Sequence, residues 1–164
     1  MSFQNSIIED LSSKIHSLFL NSNLTLSLAE SCTGGLLAST ITKHSGASKY
    51  FLGSIVCYSN DVKENILNVK KNTLDVFGAV SSQTANELAL NCSKLFNSDL
   101  AISITGIAGP SGGTSEKPVG TVYFGFYNKE KLIIEHKVFS GTRTEIQEKS
   151  VIFVLEYLKD LMSS

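Results

Sequence analysis

The chain has 164 residues, a length that fits one domain. Its 42% hydrophobic and 18% charged residues are typical of a globular protein and exclude a disordered one. The formal net charge of -1 provides no general attraction for nucleic acid or an anionic membrane, so a phosphate ligand would need a local site. Three widely spaced cysteines without a Cys-x-x-Cys pair predict neither a disulfide framework nor a zinc site.

The first part of the chain predicts a helix, a strand and a second helix. Apolar residues recur at helical spacing from about residue 5 to 20. Leu24–Ala29 alternates like a short strand, continues into Glu30–Gly35 and is followed by helical spacing in residues 36–44. No signal peptide and no run of about 18 apolar residues is present, which leads us to expect a cytoplasmic protein without a membrane segment.

The middle part predicts two more strands and two more helices. Phe51–Tyr58 is rich in β formers, and Asn60 is the expected cap of a following helix that carries Lys63 in its first turn. Ser82–Phe96 has helical spacing, and the apolar run Leu100–Ile104 predicts a strand buried on both faces.

The last part predicts a glycine-dense loop over Thr105–Thr114, a hairpin and a closing helix. The hairpin strands are Val119–Tyr127 and Leu132–Phe139, and the helix spans Thr144–Met162. Interleaved helices and strands with one late hairpin predict the α/β class. The expected fold is a three-layer α/β/α sandwich with a mixed sheet, as a single domain over residues 1–164.

Ser31 lies where a strand is expected to end and a helix to begin, the place where ligands collect in α/β sheets. Backbone N–H groups at such a helix start can stabilise an oxyanion or a phosphate. The residues that would supply them are Cys32, Thr33, Gly34 and Gly35. The alternative is that Ser31 only caps the helix.

A serine nucleophile needs a base, and Lys63 is the best-placed candidate. The histidines His16, His44 and His136 lie outside the glycine-rich and polar motifs, so a Ser-His-Asp triad has little support. A lysine becomes a base when burial or a nearby cation lowers its pKa, but it can equally be a solvated surface residue.

Two further features suit an anionic ligand. Backbone amides of the Thr105–Thr114 loop could form an anion-binding nest, with hydroxyls at both ends of the loop as extra donors. Arg143 is the only arginine of the chain, and its planar fork suits a phosphate. A surface turn and a solvated helix start are the alternatives.

Together these segments resemble the CinA C-terminal domain family, the nicotinamide-nucleotide amidohydrolases. The similarity spans nearly the whole chain in the right order. It is carried by AESCTGG (29–35), CYSNDVK (57–63), GAVS (78–81), TGIAGPSGGTSEKPVGTV (105–122) and FSGTRTEI (139–146).

The resemblance implies deamidation of nicotinamide mononucleotide to nicotinic acid mononucleotide and ammonia, without metal or cofactor. Ser31 resembles the family's nucleophile and Lys63 its general base, with Tyr58 in a supporting catalytic position. The family also suggests a homodimer and a small nucleotide as the partner, and neither nucleic acid nor membrane. The expected substrate-binding residues are Cys32, Thr33, Gly34, Gly35, Asn60, Thr105, Gly106, Gly109, Gly112, Gly113 and Arg143.

Two positions depart from the resemblance. The family's closing motif is expected to read like G-D-R-x-x-I-R, whereas Thr142 and Gln147 occupy the acidic and the second basic position here. The phosphate end of the expected site is therefore less well supported than Ser31 and Lys63. Longer family members carry a further N-terminal domain, and this chain is expected to be the stand-alone form.

Two other interpretations remain open. Glu30, Cys32 and Lys63 supply the residue types of a cysteine amidase, and cysteine is intrinsically the better nucleophile. Alternatively, the domain binds a nucleotide without turning it over. The changed residues Thr142 and Gln147 fit that second alternative, whereas the retained Ser31 and Lys63 oppose it.

Overall fold

A five-stranded mixed sheet runs through the protein in the order β2-β1-β3-β4-β5. The computed structural model describes residues 3–163. Strands β1 to β3 are parallel, and β4 and β5 add an antiparallel hairpin beside β3. The strands are β1 Leu26–Glu30, β2 Phe51–Val56, β3 Leu100–Gly106, β4 Thr121–Asn128 and β5 Lys131–Val138.

Helices cover both faces of the sheet. They are α1 Phe3–Leu20, α2 Leu36–Thr42, α3 Asn60–Asn65, α4 Lys71–Phe77, α5 Ser82–Phe96 and α6 Arg143–Met162, with a short 3-10 helix at Ala47–Lys49. Helices α1, α2 and α6 pack together over one face, and α5 packs on the other, with α4 against it. This arrangement confirms the α/β class and the mixed sheet. Within residues 3–163, no helix is both long and apolar enough to cross a membrane.

Strand β3 is buried on both faces, as its apolar run predicts. Ile102 and Ile104 face the core formed with α1, α2 and α6, while Ala101 faces the core under α5. Helix α5 comes close to the sheet because Gly125 has no side chain. A Cβ atom at Gly125 would lie 2.7 Å from the carbonyl oxygen of Ala85.

The parallel strands bring three chain segments to one edge of the sheet. Glu30 pairs with both Val56 and Ile104, so the carboxyl ends of β1, β2 and β3 lie side by side. The turn after β1, the turn after β2 and the glycine-rich loop after β3 therefore meet there. Ligand sites of α/β proteins form at this kind of edge.

One local expectation was wrong, and one helix was not predicted. Ser59, not Asn60, caps α3, because the Ser59 hydroxyl accepts the N–H of Val62 at 3.2 Å while Asn60 is already helical. Helix α4 was not predicted at all. Its start is held from outside, since the Glu87 carboxylate on α5 accepts the N–H of Lys70 and the hydroxyl of Thr73, both at 2.7 Å.

Candidate active site

An open cavity of about 340 Å³ lies at the carboxyl edge of the parallel strands. Its size falls within the range of small-molecule sites, roughly 300–1,000 Å³. The expected site residues that line it are Ser31, Cys32, Tyr58, Asn60, Lys63, Thr105, Gly106, Gly109, Gly112 and Arg143. Sequence reasoning missed other lining residues, namely Ala79, Val80, Ile107, Ala108 and Ser111. The first two belong to the GAVS motif, to which the sequence assigned no role.

Ser31 is held in a tight turn directly after β1. Its N–H donates to the carbonyl of Ile104 at 2.9 Å, and its own carbonyl accepts the N–H of Gly34 at 3.1 Å. Ser31 is not a helix cap, because α2 begins at Leu36 and Gly35 occupies the cap position with φ 95. That left-handed φ is one that glycine adopts readily. The side chain of Ser31 is thus free of a capping role.

Lys63 reaches Ser31 from the last turn of the short helix α3. Its Nζ lies 3.1 Å from Ser31 Oγ and donates to the carbonyl of Cys57 at 2.6 Å. The residue is 1% exposed, and no carboxylate of residues 3–163 forms an ion pair with it. Burial lowers the pKa of Lys63 below its ordinary 10.5, because a charged ammonium loses its hydration.

The buried carboxylate of Glu30 holds the turn between β1 and α2. One oxygen accepts the hydroxyl of Thr33 at 2.7 Å and the N–H of Leu37 at 3.0 Å; the other accepts the N–H of Ala38 at 2.8 Å. These bonds satisfy backbone donors at the start of α2 that would otherwise lack partners. Because Glu30 is committed to this role, it is a poor candidate for the acid of a cysteine amidase.

Cys32 lines the cavity but has the wrong electrostatics for a nucleophile. It is 5% exposed, and burial raises the pKa of its thiol to about 12. At neutral pH the thiol is therefore protonated, whereas cysteine catalysis uses the thiolate. The structure favours Ser31 over its neighbour.

Arg143 connects three segments around the cavity. Its Nη1 donates to the carbonyl of Gly109 at 2.8 Å, and its Nη2 donates to the hydroxyl of Tyr58 at 2.6 Å. Tyr58 is 61% exposed at the mouth of the cavity. The first turn of α6 is thereby joined to the glycine-rich loop and to the turn after β2.

The glycine-rich loop is held by contacts with neighbouring segments of the chain. The buried hydroxyl of Thr105 donates to the carbonyl of Ala79 at 2.7 Å, so it secures the chain before α5. The Thr114 hydroxyl accepts the N–H of Lys117 at 3.0 Å. At Gly109, with φ 80, a Cβ atom would lie 2.5 Å from a methyl carbon of Val119, so the loop folds tightly against the start of β4.

Four expected site residues do not line the cavity: Thr33, Gly34, Gly35 and Gly113. The first three border a separate cleft between α2 and α6 instead, and Gly113 packs against the backbone before β4. Within the described chain, residues 3–163, no group of three or more His, Cys, Asp or Glu side chains is placed to hold a metal ion.

The two departures from the expected closing motif both make local contacts. Thr142 caps α6 in a capping box, in which its side chain accepts the N–H of Glu145 and the Glu145 carboxylate accepts the N–H of Thr142. Gln147 donates from Nε2 to the carbonyl of Cys32 at 2.8 Å. The sequence carried no signal for this second contact, since the partners are far apart in the chain.

Fold and site together define an α/β protein with a buried serine–lysine pair beside a small-molecule cavity. Residues 8–162 match the family model of the CinA C-terminal domain, and the chain belongs to that family.

Relatives and solved structures agree with this assignment. A protein of Thermoanaerobacter pseudethanolicus, named as a putative competence-damage inducible protein, is 50% identical over 151 residues, which cover 92% of this chain and 37% of that protein. A CinA-like protein of Petrotoga mobilis is 46% identical over 145 residues, covering 88% and 36%. The chain therefore spans little more than a third of these relatives.

Among solved structures, the competence/damage inducible protein CihA from Agrobacterium tumefaciens is 37% identical with a TM-score of 0.93, covering 100% of both chains. A CinA superfamily protein from Enterobacter cloacae is 34% identical with a TM-score of 0.89, covering 94% of this chain and 92% of that one. These likenesses support the same fold over the whole described chain.

Proposed function

We propose that this protein hydrolyses the carboxamide of nicotinamide mononucleotide to nicotinic acid mononucleotide and ammonia. Ser31 is the nucleophile and Lys63 the general base. The observation that carries the proposal is the 3.1 Å contact between Lys63 Nζ and Ser31 Oγ, made by a buried lysine without a carboxylate partner among the described residues. The substrate class comes from the resemblance of the sequence motifs to nicotinamide-nucleotide amidohydrolases.

The first step uses the neutral form of Lys63. Its amine takes the proton of Ser31 as Oγ bonds to the carboxamide carbon, and the carbonyl electron pair moves to oxygen. The carbonyl of Cys57, 2.6 Å from Nζ, holds one N–H of the amine and so helps to aim its lone pair. Burial supplies the lowered pKa that makes the amine available as a base.

The oxyanion needs backbone donors near Ser31. Gly34 cannot serve, because its N–H already donates to the carbonyl of Ser31. We assign the role to the N–H of Cys32, which lines the cavity, and to the N–H of Thr33, the next amide of the same turn. Thr33 itself borders the neighbouring cleft, so its N–H serves the oxyanion only if the Cys32–Thr33 peptide points it towards Ser31. This narrows the sequence expectation, which had also included Gly34 and Gly35.

The second half of the reaction reverses the proton transfer. The ammonium of Lys63 donates its proton to the departing nitrogen, the C–N bond breaks and ammonia leaves an acyl ester on Ser31. Water then loses a proton to Lys63 as it attacks the ester, and Ser31 recovers its proton when the acid product leaves.

The lining of the cavity favours an anionic substrate. None of its lining side chains within the described residues is acidic, and Arg143 is a permanent cation at its mouth. The guanidinium has donors beyond those it gives to Gly109 and Tyr58, so it can also bind a phosphate. The amides of the glycine-rich loop would add further donors.

The test is ammonia release from nicotinamide mononucleotide and from free nicotinamide, with wild type, Ser31→Ala and Lys63→Ala. We expect wild type to release ammonia from the nucleotide alone, and each variant to release it at least about 10²-fold more slowly. Lys129→Ala, which removes an exposed lysine far from the cavity, is the matched control and should keep full activity. Arg143→Ala should raise KM for the nucleotide, and an unchanged KM would remove the phosphate assignment.

A folded wild type that releases no ammonia from either substrate contradicts the proposal. If it still binds the nucleotide tightly, a binding module without turnover becomes the better account. The homodimer, the cytoplasmic location and the single-domain extent expected from the sequence stay predictions.

A further inference from the structure

The first turns of α6 contact the turn that carries Ser31 from outside the cavity. Gln147 Nε2 donates to the carbonyl of Cys32 at 2.8 Å. Gln147 is half-buried and lies one helical turn after Arg143, which holds the opposite wall of the cavity through Gly109. One helix end therefore reaches both sides of the proposed active site.

Residues 31–34 form a β-turn, since the carbonyl of Ser31 accepts the N–H of Gly34 at 3.1 Å. Cys32 and Thr33 are its central residues, and the peptide between them can face either of two opposite directions. The common turn types I and II differ by this flip. Type II requires a positive φ at the third residue, and Thr33 does not have one.

The contact with Gln147 opposes the flip. A trans peptide is planar, so its carbonyl and N–H point in opposite directions. With the Cys32 carbonyl bonded to Gln147, the N–H of Thr33 must point away from α6. The Thr33 hydroxyl is held separately by Glu30 at 2.7 Å, so both the peptide and the side chain are restrained.

We infer that Gln147 is a positioning residue for the reaction at Ser31. Its amide holds the Cys32–Thr33 peptide in one direction and so keeps the N–H of Thr33 aimed for an oxyanion beside Ser31. The inference rests on the proposed function, because it assigns Gln147 a role in the same acyl-transfer step. Gln147 itself does not touch the substrate, since it lies outside the cavity lining.

Three substitutions separate the hydrogen bond from the packing. Gln147→Glu keeps the shape but places an oxygen against the Cys32 carbonyl, Gln147→Met keeps the length without a donor, and Gln147→Arg supplies a donor again. Glu148→Gln, on the same helix turn, is the matched control. Each variant is measured for kcat and KM on nicotinamide mononucleotide, for melting temperature, and for the rate at which a fluorophosphonate labels Ser31.

We expect Gln147→Glu and Gln147→Met to lower kcat by about 10- to 100-fold, less than the roughly 10²- to 10³-fold cost of removing an oxyanion donor outright. KM should stay within about twofold, because the cavity lining is unchanged. Labelling of Ser31 should slow in proportion, since the phosphonyl oxygen would use the same donors. Gln147→Arg and Glu148→Gln should keep most of both rates.

Wild-type values of kcat and labelling in Gln147→Met would overturn the inference. A fall in kcat together with a lower melting temperature and a raised KM would also overturn it, because that combination indicates that the whole protein has become less stable. If wild type labels at Ser31 but releases no ammonia, the proposed function fails alone. In that case slower labelling of Ser31 in Gln147→Met than in wild type supports the role of Gln147, and equal labelling overturns it.

Discussion

Two lysines, at opposite ends of the strands, make equally short hydrogen bonds in contrasting surroundings. Lys63, at the carboxyl edge, is 1% exposed and donates to the carbonyl of Cys57 at 2.6 Å. Lys129, in the β4–β5 turn at the other edge, has a side chain that is 62% exposed and lies 2.6 Å from the Asp99 carboxylate.

The difference is the one expected between a lysine that acts as a base, as we propose for Lys63, and a lysine that stabilises the fold. Lys129 keeps its hydration and has a counter-charge, and its hydrogen bond is the main cause that lowers the pKa of Asp99 to about 2. Lys63 is buried away from water and has no counter-charge among the described residues, and burial lowers its own pKa. Burying an amine without a carboxylate opposes folding, so such a group in a cavity is a candidate for catalysis.

The largest expected effect follows from Lys63→Met, which keeps a similar length and removes the amine. Ammonia release should fall by about 10²- to 10⁴-fold, the usual contribution of a general acid–base group. The protein should still unfold cooperatively, because the substitution also removes a buried amine that was costly to desolvate. Activity assays and thermal melting check both parts, and wild-type activity in the Lys63→Met variant would contradict the role of Lys63 as the base.

The next effect is the pH dependence of wild-type turnover. Lys63 must be neutral to accept the Ser31 proton, so kcat should rise with pH, about tenfold per unit well below the pKa, and level off above it. Because burial lowers that pKa, the midpoint should lie below 10.5. A profile of kcat at saturating nucleotide, from acidic to alkaline pH, measures it. A midpoint at or above 10.5 would show that Lys63 is not the titrating base.

Asp99→Asn should reduce stability and leave activity unchanged. The carboxylate accepts the N–H and the hydroxyl of Thr25 as well as Lys129, and loss of hydrogen bonds to a charged group costs about 1–3 kcal/mol. Since the pKa of Asp99 is lowered, its contribution is present above 3.8 and is lost as the pH falls through about 2. Urea unfolding at neutral and acid pH should show the gap between variant and wild type narrowing in acid.

Lys129→Ala should produce the smallest change. Exposed ion pairs contribute about 0.2–1 kcal/mol, and salt screens them. Urea unfolding at low and high ionic strength measures the difference, which should shrink in salt. A loss of ammonia release in this variant would contradict the division between the two lysines.

Much of the fold was predictable because it depends on local patterns. The spacing of apolar residues indicated α1, α5 and α6, and the apolar run before the glycine-rich loop indicated β3 with both faces buried. Helix α4 was not predicted, because its start is stabilised by Glu87, a residue of another helix. The Asn60 cap was wrong because two adjacent polar residues fit a cap equally well by sequence, and only the backbone course selects Ser59.

The sequence alone is enough to predict the order of the elements apart from α4, the turn that carries Ser31 and the motifs that identify the family. The folded structure is needed to place Lys63, 32 residues further along, in a buried position within reach of Ser31. It also turned Gly34 and Gly35 away from the cavity and placed Gln147 against Cys32. Periodicity and turn chemistry act between near neighbours in the chain, whereas burial and these contacts depend on the packing of distant segments at one edge of the sheet.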